Sequence, residues 1–96
     1  MSRALLALES FLAFSEAMAC AAEEQEWETL VRLGEERGKL FDGLPVDLGA
    51  TLPPEVQAHA RSIIERCQLL DAQTCSCVEA RRKAIGVLLQ EPLPVN

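Results

Sequence analysis

Residues 53–90 read PPEVQAHARSIIERCQLLDAQTCSCVEARRKAIGVLLQ, and apolar side chains recur along them in alternating steps of four and three. Such spacing places one stripe of side chains on a single face of a helix. The two leading prolines fit a first helical turn, whose N–H groups need no partner within the helix. The segment therefore predicts one long amphipathic helix over residues 53–90. Its seam consists of Val56, Ala60, Ile63, Cys67, Leu70, Thr74, Cys77, Arg81, Ala84 and Leu88, with Ile64, Val78, Ile85 and Leu89 alongside.

Two further helical segments precede this long helix. The first covers residues 3–22, where Ser15 is the one polar member of an apolar stripe. That stripe consists of Leu5, Leu8, Leu12, Ala19 and Ala22. The second covers residues 26–42 and has Leu30, Val31, Gly34, Gly38 and Phe41 along one side, with Leu33, Leu40 and Leu44 beside them. Gly34 and Gly38 each cost about 1 kcal/mol relative to alanine inside a helix. We expect them to mark a close approach of another backbone; simple tolerance in a weak helix is the alternative.

How the first two segments connect is open from the sequence. Nothing between Ala21 and Gln25 breaks a helix by propensity, so one continuous helix from Ser2 to Asp42 is possible. A helix of about 40 residues would be unusual in so short a chain. We therefore expect a tight turn at residues 22–25 that folds the segments into a hairpin, with Trp27 at its junction.

Together the three segments predict an all-α fold, an antiparallel three-helix bundle made of a helical hairpin and a long C-terminal helix. We expect a single domain over residues 1–96, with a loop at residues 43–52 that contains Pro45 and Gly49. At 1.5 Å per residue the long helix would span about 57 Å and the second helix about 27 Å. Either the long helix bends near Gly86, or part of its apolar stripe is left for a second subunit or a client segment.

Composition and charge exclude several functions. The formal net charge of −6 argues against a nucleic-acid partner, which needs a basic face. We expect no segment to reach the roughly 20 apolar residues of a membrane span. The N-terminus faintly imitates a secretory signal ending at Cys20, but Glu9 and Glu16 interrupt its apolar region, so a mature helix is the better interpretation.

No catalytic or metal-binding pattern stands out. The cysteines at positions 20, 67, 75 and 77 lack the C-x-x-C spacing, so we expect free thiols, with redox or metal chemistry as the alternative. His59 has no acidic or cysteine cluster beside it, and the glutamates between Glu23 and Glu36 resemble a solvated face. We expect no enzyme, no metal and no cofactor.

Three features of the sequence resemble the FliT-type flagellar export chaperones. A short acidic turn leads into a Glu-Trp-x-x-Leu element, matched here by Glu26, Trp27 and Leu30. Paired prolines open a long third helix, and that helix ends in an arginine-rich and then leucine-rich segment, as in residues 81–90. The resemblance covers most of the chain. Family members continue into a further regulatory helix, whereas this sequence ends at Asn96, which puts autoinhibition by such a helix in question.

The resemblance implies a cytoplasmic chaperone that binds the helical C-terminal segment of the flagellar filament-cap protein in an apolar groove and prevents its premature assembly. It also implies contacts with the export ATPase components or the flagellar transcription regulator. We expect no nucleic acid and no membrane as partners. Candidate partner-binding residues are the apolar ones off the main seams, namely Leu33, Leu40, Leu69 and Val87; their alternative reading is secondary core or scattered surface. The rival function is a structural homodimerisation module without a client.

Overall fold

The computed structural model describes residues 3–44 and 52–90, which form α1 (Arg3–Glu23), α2 (Trp27–Asp42) and α3 (Pro54–Gln90). The predicted fold class is confirmed: a helical hairpin is followed by one long helix. The part of the predicted loop at residues 45–51 lies outside the described residues, as do the terminal residues 91–96. The molecule is a rod with dimensions of 69 × 22 × 21 Å.

The hairpin turn at residues 24–26 settles the question of one helix or two. The N–H of Glu26 donates to the carbonyl of Ala21 at 2.8 Å, and the N–H of Gln25 donates to that of Ala22 at 3.2 Å. This pair of bonds is a Schellman motif, which requires a left-handed residue. Gln25 takes that conformation, with φ at 60°. Glycine usually fills the position, so no residue type marked the turn. The turn expected at residues 22–25, which rested on helix length, is confirmed.

α1 is the helix against which both others pack. Its first half contacts the first half of α3 through a core cluster that contains Leu8, Ala60, Ile63 and Cys67. Its second half contacts α2 through a second cluster formed by Met18, Ala21, Ala22 and Leu30, with Trp27, Leu33 and Cys77 packed against it. α1 and α3 therefore run parallel, and α2 runs antiparallel to both. Direct contact between α2 and α3 is sparse.

The buried face of α2 differs from the predicted one. Leu30 is buried, but Val31 and Phe41 are about 60% exposed. The half-buried positions beyond Leu30 are Leu33, Gly34, Arg37 and Leu40, so an arginine lies on the inward face. The prediction failed because it sought only apolar residues, whereas the charge of Arg37 is paired within the bundle.

The expectation of a close backbone approach at the α2 glycines is wrong. A Cβ atom at Gly38 would meet nothing within 4 Å, and one at Gly34 would meet only the terminal methyl of Met18 at 3.6 Å. Both positions therefore leave room for a Cβ atom. These glycines therefore weaken α2 without gaining a tight interface in return.

Candidate functional site: two apolar surfaces and an interhelical ion pair

The C-terminal part of α3 extends beyond the hairpin. α3 has 37 residues and α1 has 21, which correspond to about 55 Å and 31 Å. Because the two helices are parallel and their N-terminal parts pack together, α3 extends past the hairpin turn, where Arg81 still contacts Trp27. None of residues 78–89, hereafter the α3 overhang, is buried. Its large exposed apolar side chains are Val78, Ile85, Val87, Leu88 and Leu89.

A pocket lies where the α3 overhang leaves the hairpin turn. It encloses about 450 Å³ and is lined by Ala22, Trp27, Cys77, Arg81, Ile85 and Leu88, among others. The Arg81 guanidinium lies over the Trp27 ring, 4.7 Å from its centroid. The indole Nε1 of Trp27 is buried and has no hydrogen-bond acceptor among the described residues. Trp27 thus closes the second core cluster and also borders an exposed apolar surface.

A second apolar surface lies between α2 and α3 at the other end of the bundle. We call it the α2–α3 groove; it encloses about 260 Å³. Its floor is α1 and its walls are α2 and α3, which touch each other little. The apolar lining consists of Leu8, Phe11, Phe41, Leu44, Ile64 and Cys67, with Gln68 and Asp71 at the α3 side.

One ion pair connects the walls of this groove. Arg37 Nη1 on α2 donates to Asp71 Oδ1 on α3 at 2.6 Å and to Ser15 Oγ on α1 at 2.9 Å. Ser15, with no exposed surface, donates in turn to the carbonyl of Phe11 at 2.9 Å. The Arg37 guanidinium lies 4.8 Å from the Phe11 ring centroid. Arg37 therefore contacts all three helices through charge-assisted hydrogen bonds and a cation–π contact.

The four predicted partner-binding residues are spread over the molecule. Leu33 is half-buried against the second core cluster, and Leu40 is half-buried further along α2. Leu69 and Val87 are both more than 60% exposed. They lie on the same face of α3, but 18 residues correspond to about 27 Å. The structure therefore places Leu33 against the core, Leu40 at a half-buried position of α2, and the other two candidates on an outer face of the long helix.

Arg37 and Asp71 were missed by the sequence analysis, although a signal for them exists. Arg37 continues the three- and four-residue spacing of Leu30 and Leu33, so it falls on the inward face of α2. Asp71 falls at the heptad position midway between Ile64 and Val78. Ser15, polar within an apolar stripe, was the one member of this network that the pattern singled out.

Two thiols are held in their protonated form. Burial raises the pKa of Cys67, and the nearby Asp71 carboxylate adds to this, while Ser15 and Arg37 act in the opposite direction. Charge on Glu24 raises the pKa of Cys20, whose Sγ lies 3.8 Å from Glu24 Oε2. Raised pKa values disfavour the thiolate and so the nucleophilic or metal-binding form. All four cysteines have free thiols.

Over the described ranges 3–44 and 52–90, no three histidine, cysteine or acidic side chains come together as a metal site would require. α1 is long and apolar enough, by length and composition, to cross a membrane. The expectation that no segment reaches this threshold is therefore wrong for α1. The criterion is weak evidence, because the central helix of a bundle meets it as well, and α1 packs against both other helices.

Comparison with known proteins gives one match. A family model described as flagellar protein FliT matches residues 5–91 of the 96. No curated protein and no solved structure matches the chain. The matched range includes all of α2 and α3 and nearly all of α1.

Proposed function

Since the chain belongs to the FliT family of flagellar proteins, which are export chaperones, we propose that it binds the helical C-terminal segment of the filament-cap protein and prevents its premature assembly. It acts in the cytoplasm, without catalysis and without a cofactor. The export ATPase components and the flagellar transcription regulator are further partners in this proposal. Nucleic acid and membrane are not.

The observation that carries this proposal is the unshielded apolar surface of the α3 overhang. Leu88 and Leu89 are 72% and 81% exposed in the last turns of α3, beyond the hairpin turn. A soluble monomer rarely presents contiguous apolar surface unless a partner covers it. An amphipathic client helix would cover this surface by the helix-in-groove mode, in which apolar side chains at helical spacing enter the pocket that Ile85 and Leu88 line together with Trp27.

The partner-binding residues in this proposal are Leu33, Leu40, Leu69 and Val87. Leu69 and Val87 are supported by their exposure, since apolar side chains on an outer helix face are available to a partner. Leu33 and Leu40 would take part only at their exposed edges. A client that reaches Leu33 on α2 and Val87 on the α3 overhang would lie across the pocket beside Trp27.

A pull-down with a C-terminal fragment of the filament-cap protein tests the proposal. We expect Leu69→Glu and Val87→Glu to reduce retention of the fragment about tenfold, because a buried carboxylate in the interface has no partner. Leu33 also packs against the core, so a thermal melting curve must show that the Leu33→Glu variant is folded before its binding is compared. Ala17→Glu, an exposed position on α1, is the matched control and should bind normally. Normal retention by both α3 variants would remove those residues from the proposal.

The second candidate function, a homodimerisation module, is supported by the same exposed overhang, because a second copy could cover it. Mass measurement over a range of concentrations separates the two. A tight dimer without affinity for the cap-protein fragment would favour the module. A monomer that binds the fragment would favour the chaperone.

A further inference from the structure

The C-terminal half of α2 is held to the bundle through the polar contacts of Arg37 and a tilted ring contact between Phe41 and Phe11, whose centroids are 6.1 Å apart. Leu30 is the buried residue of α2, and it lies in the first turn. From Gly34 to Asp42 every described side chain is half-buried or exposed. Gly34 and Gly38, on either side of Arg37, lower the helix propensity of this half. An element with few buried apolar contacts opens locally at low free-energy cost.

The contacts of Arg37 are unequal on its two sides. Toward α1 it has the buried Ser15 Oγ and the half-buried Phe11 ring. Toward α3 it has Asp71, whose side chain is 39% exposed, whereas that of Arg37 is 19% exposed. Solvent screens the exposed side of the pair, so the bond to Asp71 is the easier one to exchange.

The ion pair also interrupts the surface on which another helix could pack alongside α3. Ile64, Asp71, Val78 and Ile85 are seven residues apart and form one row on the α2 side of α3. The three apolar members are each about 42% exposed, so α2 leaves this row partly uncovered. A helix that packed along the whole row would meet the Arg37–Asp71 pair midway between Ile64 and Val78.

We propose that the Arg37–Asp71 ion pair is a clasp across the α2–α3 groove, and that an amphipathic helix enters by replacing Asp71 with a carboxylate of its own. Arg37 stays on Ser15 and Phe11 and presents a fixed cation among apolar side chains. The guest that fits is a helix with one acidic residue within its apolar face. This inference rests on the proposed function for the guest's role but concerns another face of α3. Leu69 and Val87 each lie two residues from this row, about 160° around the helix, so a guest in the α2–α3 groove would not contact them. The clasp itself is a property of the free protein.

Opening of the clasp is measured through Cys67, a buried residue that lines the groove. The full chain is prepared with Cys20→Ser, Cys75→Ser and Cys77→Ala, so that N-ethylmaleimide labels Cys67 alone. Asp71→Ala and Arg37→Met each remove one half of the clasp. We expect each to speed labelling about tenfold, the factor that corresponds to about 1.4 kcal/mol.

These two variants separate opening from a change in thiol reactivity. Asp71 raises the pKa of Cys67 and Arg37 lowers it. By charge alone, Asp71→Ala would speed labelling and Arg37→Met would slow it. Faster labelling in both variants therefore reports an opened groove, and unchanged or slower labelling in Arg37→Met would overturn the clasp.

Two controls separate local opening from general loss of stability. Glu36→Ala breaks the Lys39–Glu36 pair, which lies within α2 and spans no groove. Ile63→Val weakens the first core cluster by deleting one methyl group. We expect labelling in both to rise less than twofold. A tenfold rise in Ile63→Val would show that Cys67 is labelled through global unfolding and would overturn the proposal.

Binding of the cap-protein fragment then tests the guest. Asp71→Ala should bind about tenfold more tightly than the parent, because the clasp no longer has to open. Arg37→Met, equally open, should bind more weakly than Asp71→Ala because the cation is gone. Equal affinities would overturn the carboxylate exchange. Faster labelling with no binding by any variant would support the clasp and contradict the proposed function. Binding with unchanged labelling would support the proposed function and overturn the clasp.

Discussion

Ser15 shows how a single polar side chain fixes the relation of the three helices. Its hydroxyl accepts from Arg37 and donates to the Phe11 carbonyl, so both functions of the group are used. A buried polar group with its partners in place stabilises one arrangement, because any other arrangement leaves it unpaired.

Ser15→Ala should lower the free energy of unfolding by about 1 to 2 kcal/mol, since it removes one charge-assisted hydrogen bond and leaves Arg37 with Asp71 alone. Urea denaturation measures the change. Ser10→Ala, at an exposed position of the same helix, is the control and should stay within about 0.5 kcal/mol of the parent. Equal losses in the two variants would mean that the Ser15 bonds contribute nothing.

At the scale of elements, the hairpin turn connects α1 and α2 through a residue with a strained backbone conformation. Gln25 occupies the left-handed region, which costs a non-glycine residue about 1–2 kcal/mol. The strain is offset by the core cluster that the turn allows, in which Ala21 and Ala22 pack against Leu30.

Gln25→Gly should therefore stabilise the protein by about 1 kcal/mol and raise the Tm by roughly 4–8 °C, because glycine adopts positive φ without steric cost. Thermal melting followed by circular dichroism measures it. Gln25→Ala keeps the Cβ atom and with it the strain, so it should give no comparable gain. A Gln25→Gly variant that melts at or below the parent temperature would contradict the assignment of strain to this residue.

At the scale of the whole molecule, stability and the exposed apolar surface belong to different ends of the rod. The core clusters involve α3 from Ala60 to about Cys77, whereas the α3 overhang contains no buried residue. A substitution in the overhang should therefore leave folding almost unaffected.

Leu89→Glu should change the free energy of unfolding by less than about 0.5 kcal/mol, while Ile63→Ala should lower it by about 2–5 kcal/mol. Ile63 is 5% exposed and Leu89 is 81% exposed, which is the reason for the contrast. Denaturation at two protein concentrations checks both variants. A loss in Leu89→Glu that grows as the protein is concentrated would indicate that the overhang is buried between copies.

The sequence by itself determined the helices and the surplus of apolar surface. The seam of α3 is a local spacing pattern, and its buried members run from Ala60 to Thr74 as the pattern predicts. The excess of apolar surface on α3 followed from the predicted helix lengths, because α3 is longer than the helices that could cover it. The exposed Leu88 belongs to this excess. Both properties depend on residues close in the chain, which a periodicity can report.

Only the tertiary structure decided which residue takes the strained conformation of the turn and what lies at the centre of the bundle. The turn at Gln25 has no propensity signal, because its strain is offset by contacts between residues on different helices. The inward position of Arg37 depends on Ser15, 22 residues earlier, and on Asp71, 34 residues later. A charge inside a bundle is stable only when it is paired and hydrogen-bonded. Here its partners are distant in the sequence, so the pairing depends on how the helices pack.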